Sequence, residues 1–370
     1  MTSRTVAPFR ADHVGSFLRP KALKDARAKY EAKKITKTAL KKVEDAEILK
    51  LIRKQEQVGL QLASDGEFRR TWWHFDFFGM LDGVDLVSTG QNIQFQGVTA
   101  RGGKLEVNGK IGFSDDHPML SHFRFLKKNT KLVPKMTVPS PTVLHFRLEP
   151  DAIKTKRYQH FDDIYEDLAK AYKKAIKEFY KAGCRYLQFD DTAWAYLCSS
   201  EEMKKAKARG LNTETIARDY ADMLNAALKG RPKDMVVTTH ICRGNFRSTW
   251  IASGGYEPIA EVLFGGVDYD GYFLEYDSER AGGFEPLRFV PKGKKQVVLG
   301  LITSKSGELE DKDAIKRRVE EATKYVALDQ CCLSPQCGFA STEEGNTLTE
   351  AQQWAKMKEV VELSKEIWGK

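Results

Sequence analysis

Short apolar and β-branched runs recur at eight places along this chain, at residues 9–14, 60–64, 132–138, 186–189, 235–242, 271–275, 296–302 and 331–334. Each is long enough for one strand and too short for a buried helix. Stretches of helical period lie between most of them, including residues 161–181, 213–228, 312–327 and 349–367. Such alternation demands a parallel sheet with crossover helices, and eight units predict an α/β chain closed as a (β/α)8 barrel. Length alone would allow two domains in 370 residues, but barrels of this kind commonly exceed the average domain. One barrel over residues 1–370 is therefore expected.

Two segments interrupt the rhythm. Residues 92–113 alternate in twos and contain the pair Asn108-Gly109, which predicts an antiparallel hairpin inserted after the second strand and covering one barrel face. Residues 280–295 are rich in Gly, Pro and charge without periodicity, so a long loop is expected after the sixth strand.

A hydrophobic share of 41% beside 30% charged residues excludes a disordered chain. The formal charge of +9 comes from 60 Lys and Arg against 51 Asp and Glu, with much of the excess in residues 21–54. Those lysines lack the aromatic interleaving of a nucleic-acid groove and read as a solvated helix face, with attraction of small anions as the alternative. No nucleic-acid motif is present, so no nucleic-acid partner is expected. The start MTSRTVAPFR has no apolar signal core, and no run of roughly 18 apolar residues occurs, so a cytoplasmic protein without membrane association is expected. Six cysteines in a chain of this length are too few for a disulfide framework and direct attention to metal or catalytic roles.

In such barrels reactive groups sit at the carboxyl ends of strands. The fifth strand ends in His240-Ile241-Cys242, and two-residue spacing puts the imidazole and the thiol on one side of the pleat. The sixth strand ends at Glu275, and the eighth runs into Pro335-Gln336-Cys337. One nitrogen, two sulfurs and a carboxylate form a set that tetrahedral zinc accepts. Cys184, Cys198, Cys331 and Cys332 fit less well and read as small buried residues.

Taken in order, His13-Val14-Gly15-Ser16-Phe17, Asp65-Gly66-Glu67, Phe189-Asp190-Asp191, His240-x-Cys242, Glu275 with Ser278, and Pro335-x-Cys337-Gly338 resemble the cobalamin-independent methionine synthases. The likeness is to their catalytic barrel and its short single-barrel relatives, over nearly the whole chain. It implies that His240, Cys242, Glu275 and Cys337 hold zinc and that the sulfur of homocysteine joins the metal. It also implies transfer of a methyl group to that sulfur, as in 5-methyltetrahydropteroyltriglutamate-homocysteine methyltransferases. Metal coordination removes the proton of a thiol that is mostly protonated near neutral pH, which supplies the nucleophile. Glu67 and Asp190 are candidates for the ammonium of the amino acid, and the turn of His13, Gly15 and Ser16 for its carboxylate. The alternative for these residues is structural: Asp65-Gly66 as a plain turn, and Asp190 or Asp191 as a helix cap.

The chain departs from the family on the donor side. Where the longer enzymes stack folate on a tryptophan, this sequence has Phe146, with Trp194, Trp72, Trp73 and His74 as further candidates to line a flat-ring pocket and core packing as their alternative. Their proton-transferring histidine is replaced by Lys305, with Asp191 as a second candidate to supply or relay that proton. Methyltetrahydrofolate is the expected donor. A methylated corrinoid, another thiol acceptor and a catalytically silent metal-binding protein stay open as alternatives.

Overall fold

The computed structural model of the chain describes residues 4–95, 98–243, 254–343 and 345–369. Seven strands make one parallel sheet: β1 (Leu62–Ala63), β4 (Val133–Pro139), β5 (Tyr186–Asp191), β6 (Val236–Ile241), β7 (Gly271–Glu275), β8 (Gln296–Ile302) and β9 (Cys331–Pro335). Their spatial order follows the chain, β1-β4-β5-β6-β7-β8-β9. Every one of the seven lies on a run predicted from sequence. Helices cross over between them, and spacing of three and four decides which face is hidden. Tyr165–Lys181 buries Leu168, Ala171, Tyr172, Ala175, Ile176 and Phe179, and Ile216–Leu228 buries Tyr220, Met223, Leu224 and Ala227.

The expected first strand is different in kind. Residues 9–16 join the two edges of the sheet through isolated bridges alone, Ala11 to Leu333 of β9 and Ser16 to Gly66 beyond β1. The reason is Asp12, whose carboxylate accepts from the backbone N–H of Phe9 at 3.1 Å and of His13 at 2.8 Å and so competes with a ladder. Asp12 is itself held by Lys135 Nζ at 3.1 Å and Tyr186 Oη at 2.9 Å, and Lys135 also donates to the His13 carbonyl at 2.6 Å. Both members of the Lys135–Asp12 pair are fully buried. Seven strands are thus laddered, and residues 9–16 span their two edges by isolated backbone bridges and by buried side chains.

The hairpin follows β1 as expected but is longer, with β2 (Asp82–Phe95) antiparallel to β3 (Val98–Gly112). Asn108-Gly109 is not its turn. The pair lies inside β3, opposite a register shift between Asp82 and Val84. Gly83 there has φ +72°, and a Cβ on it would meet the Lys110 carbonyl oxygen at 2.5 Å, so the residues mark a bulge. In the segment expected as a loop, 3-10 turns form at Glu279–Ala281 and Glu285–Phe289. The lysine-rich stretch forms the helices Lys21–Glu31 and Lys37–Val58 with its lysines exposed. No helix among the described residues is long and apolar enough to cross a membrane.

Candidate metal centre

Parallel register brings the strand ends level. Asp190 of β5 pairs with His240 of β6, and Glu275 of β7 pairs with Gly300 of β8. Cys337 follows β9, whose Gly300 partner is Ser334. A side chain on Gly300 would come within 2.8 Å of Gln336 Cα, so glycine there lets the Cys337 segment lie against β8. The ligand atoms of His240, Cys242, Glu275 and Cys337 all fall within 4.8 Å of one another, and all four residues are buried.

The spacing suits a tetrahedral ion. Cys242 Sγ and Cys337 Sγ are 3.7 Å apart, and two sulfurs each about 2.3 Å from one zinc would be separated by about 3.7 Å. His240 Nε2 lies 3.9 Å from Glu275 Oε1. His240 Nε2 and Glu275 Oε2 are buried without a hydrogen-bond partner among the described residues, a cost that a shared cation removes. The carboxylate and imidazole are also braced. Glu275 Oε1 accepts from the Arg243 N–H at 3.0 Å, the Glu275 N–H donates to Tyr256 Oη at 2.9 Å, and His240 Nδ1 lies 3.4 Å from Asp190 Oδ1.

Without a cation these groups hold protons among themselves. Burial works against a charged His240, but Asp190 and the Cys337 sulfur outweigh it and push the imidazole up to about 10. The Cys242 thiol, followed by His240, brings Cys337 well below the ordinary thiol range despite burial. Burial raises Glu275. These shifts favour a proton shared within the cluster, which a bound cation would displace.

Beside the ligands lies a small cavity whose wall includes Ser16, Glu67, Trp73, Asp190, His240 and Cys337. Glu67 has φ +60°, a left-handed backbone that is unusual outside glycine and is stabilised by the Asp65 carboxylate accepting from its N–H at 2.9 Å. Its Oε1 accepts from Thr137 Oγ1 at 2.9 Å and lies 3.4 Å from Arg70 Nη1, while Oε2 is buried without a partner among the described residues. Burial, with Asp190 adding repulsion against the pull of Arg70, raises Glu67 to about 7. Asp190 Oδ1 accepts from Gln188 Nε2 at 2.7 Å. Gly15 has φ +137° and sits so near Thr137 that a Cβ would be 2.6 Å from its Cγ2.

The remaining predicted residues are not brought to this cavity. Phe146 is buried and stacked on Tyr196 with centroids 5.1 Å apart, and Trp194 is buried edge-on to Tyr220 at 6.0 Å. The short helices Pro141–Arg147 and Ala193–Leu197 turn these rings into the core, away from the open surface that a stacking platform was expected to use. Asp191 caps the second of these helices, accepting from the N–H of Ala193 at 2.8 Å and of Trp194 at 3.3 Å, with Thr142 Oγ1 on its other oxygen. Burial raises it to about 6, but its oxygens are engaged in capping, as the structural alternative held for it. His13 is buried edge-on to Phe17, outside the cavity wall, and burial holds it well below the usual range. Lys305 lies at the ligand side, its Nζ 3.4 Å from Asp277 Oδ2 and its charge acting on Glu275 and Cys337.

Thr137, Gln188 and Arg70 were not singled out by the sequence, whereas Trp73 was one of the aromatic residues weighed there for a flat-ring pocket. The first two carried a signal, because polar residues at two-residue spacing inside β4 and β5, Lys135 with Thr137 and Gln188 with Asp190, mark the face turned into the barrel.

Residues 9–363 match the family described as the cobalamin-independent synthase catalytic domain. The Bacillus subtilis protein YxjG, itself uncharacterized, is 52% identical over 99% of this chain and 96% of its own length. The crystal structure of a candidate vitamin-B12 independent methionine synthase of Listeria monocytogenes superposes with a TM-score of 0.80 at 46% identity, covering 99% of each chain. A B12-independent methionine synthase of a Shewanella species, solved in complex with selenomethionine, shares the fold with a TM-score of 0.72 at 19% identity, covering 97% of each chain.

Proposed function

The chain belongs to the cobalamin-independent synthase family, and from that membership we propose a zinc-dependent methyltransferase that converts homocysteine to methionine with a methyltetrahydrofolate as donor. One observation carries the reading: a set of four metal-ligating atoms and an unpartnered buried carboxylate oxygen, Glu67 Oε2, belong to one small site. A thiol and an ammonium separated by a short chain fit that pair of poles. Bound by His240, Cys242, Glu275 and Cys337, zinc would keep the substrate sulfur as a thiolate at neutral pH.

Each side chain then has a task. Glu67 Oε2 and Asp190 hold the ammonium. Ser16 and the backbone at Gly15 hold the carboxylate. Asp190 also accepts from His240 Nδ1, which fixes the tautomer that leaves Nε2 for the ligand cluster. Lys305 supplies the proton that the leaving amine of a folate donor needs. The methyl group moves directly to the substrate sulfur, because burial pushes the thiols of Cys184, Cys198, Cys331 and Cys332 up to about 12 and leaves none as a carrier nucleophile. The whole activity is assigned to one barrel over residues 1–370.

The enclosure of Phe146 and Trp194 favours a second reading, a methylcobalamin donor, which requires neither a pteridine platform nor an acid. The test is to give the zinc-loaded protein and homocysteine each donor in turn and to measure methionine. Turnover with mono- or polyglutamylated methyltetrahydrofolate is the expected result. Turnover with methylcobalamin alone would transfer the assignment to the second reading. No methionine from either, with no change at the metal on adding thiol, would mark a silent metal-binding protein.

A further inference from the structure

The cavity beside the metal ligands is too small for the substrate proposed above. Its volume is about 20 Å³, where roughly 10–15 Å³ on the same measure admits a single water. An amino-acid thiol enters only if a wall yields. Among the described residues lining the cavity, only Trp73 and Ser341 are half-buried; the ligands and carboxylates are buried at strand ends.

These two residues are joined. The Trp73 N–H donates to the Ser341 carbonyl at 3.1 Å, and the Glu343 N–H donates to the Thr71 carbonyl at 3.0 Å. With the antiparallel bridge between Trp72 and Thr342, they form a short clasp between the loop after β1 and the loop after β9. From the β1 side, Arg70 Nη1 donates to the Trp73 carbonyl at 3.4 Å. Arg27 Nη1 also joins the two loops, donating to Thr71 Oγ1 at 3.2 Å and to Glu343 Oε2 at 3.3 Å, yet a clasp of a few hydrogen bonds and one ion pair opens at far lower cost than the barrel ladder.

We propose that this clasp opens to admit the amino-acid thiol and that the Trp73 indole closes over its side chain, making Trp73 the residue that selects the length of the thiol. The inference rests on the function proposed above. That reading fixes the sulfur at the metal ligands and the ammonium at Glu67 and Asp190. The methylenes between those two poles then lie against the apolar part of the wall, Val14 and Trp73. A wall of this kind discriminates one methylene by about tenfold or more.

The experiment titrates zinc-loaded wild type, Trp73→Ala and Trp73→Phe with homocysteine and with its homologue longer by one methylene, following heat and zinc content. Wild type is expected to prefer homocysteine by about tenfold or more. Trp73→Ala should lose most of that preference while keeping its zinc, and Trp73→Phe should regain much of it. An unchanged preference in Trp73→Ala, or loss of zinc from both variants, overturns the assignment of Trp73 alone. Failure of wild type to bind either thiol overturns the underlying function and this inference with it.

Discussion

Asp190 Oδ1 stands 3.4 Å from His240 Nδ1, on neighbouring strands and in register. In the proposed function one carboxylate would serve two sites, orienting His240 and lining the wall where the ammonium is proposed to bind. Asp190→Asn should weaken zinc retention by about 10–100-fold, the usual effect of losing a carboxylate behind a ligating histidine, and weaken thiol binding as well. Glu67→Gln, whose side-chain partners are Thr137 and Arg70 and not His240, should weaken thiol binding alone. Competition with a chromogenic chelator, followed by calorimetry, separates the two. Equal zinc affinity in wild type and Asp190→Asn would remove the first role.

Glu67 gives a pH dependence with a defined sign. Its carboxyl is raised from 4.5 to about 7, and the ammonium requires the ionised form. Homocysteine affinity should therefore rise with pH through about 7, with proton release on binding below that point, and Glu67→Gln should flatten the profile. For stability the sign is opposite. A raised folded value stabilises below the unfolded value and loses that stability between pH 4.5 and 7. Above that window Glu67→Gln should recover up to roughly 3 kcal/mol in the metal-free protein, less what the Arg70 and Thr137 contacts contribute. Denaturant titrations at pH 5 and pH 8 measure it.

Gly338 is a steric prediction. A Cβ there would lie 2.0 Å from Ser16 Oγ and 3.2 Å from Ser16 Cβ. Gly338→Ala should push apart Ser16 and the Cys337 segment, reducing thiol affinity at least about tenfold while the barrel's thermal transition shifts little. Calorimetry showing wild-type affinity would mean that Ser16 does not touch the substrate.

Lys135 and Asp12 bear on stability. Removing one member of a fully buried pair leaves an uncompensated charge, so Lys135→Met should cost about 3–5 kcal/mol. Because Lys135 also holds the His13 carbonyl, the loss should be accompanied by weaker thiol binding through the displaced Ser16. Urea unfolding of Lys135→Met, and of the double variant with Asp12→Leu, tests whether the cost falls when both charges are gone.

Seven barrel strands and the clustering of His240, Cys242, Glu275 and Cys337 were legible because periodicity and strand-end position carry them. His240-x-Cys242 is a statement about one pleat face, and Glu275 and Cys337 end strands at the same rim. Less local properties were hidden. Asp12 reads as one acidic residue in an apolar run, and only its contacts show that it replaces ladder bonds. Asn108-Gly109 favours the positive φ of a tight turn, but here Gly83 on the facing strand takes it, so the pair located an irregularity and mistook its kind. Phe146 and Trp194 follow strands as a stacking residue would, but which way a five- or seven-residue helix rolls is decided by neighbours such as Tyr196 and Tyr220. Trp73 stands in a row of aromatic residues, Trp72-Trp73-His74-Phe75, whose members point differently, and sequence gives no means of choosing among them.

Whether His240, Cys242, Glu275 and Cys337 form a zinc site that takes a thiol is read by X-ray absorption at the zinc edge, before and after homocysteine is added. About one zinc per chain is expected, with two sulfurs, one nitrogen and one oxygen at rest, and a third sulfur once the thiol is present. A protein that retains no zinc, or zinc whose sulfur count stays at two with saturating homocysteine, would contradict the account.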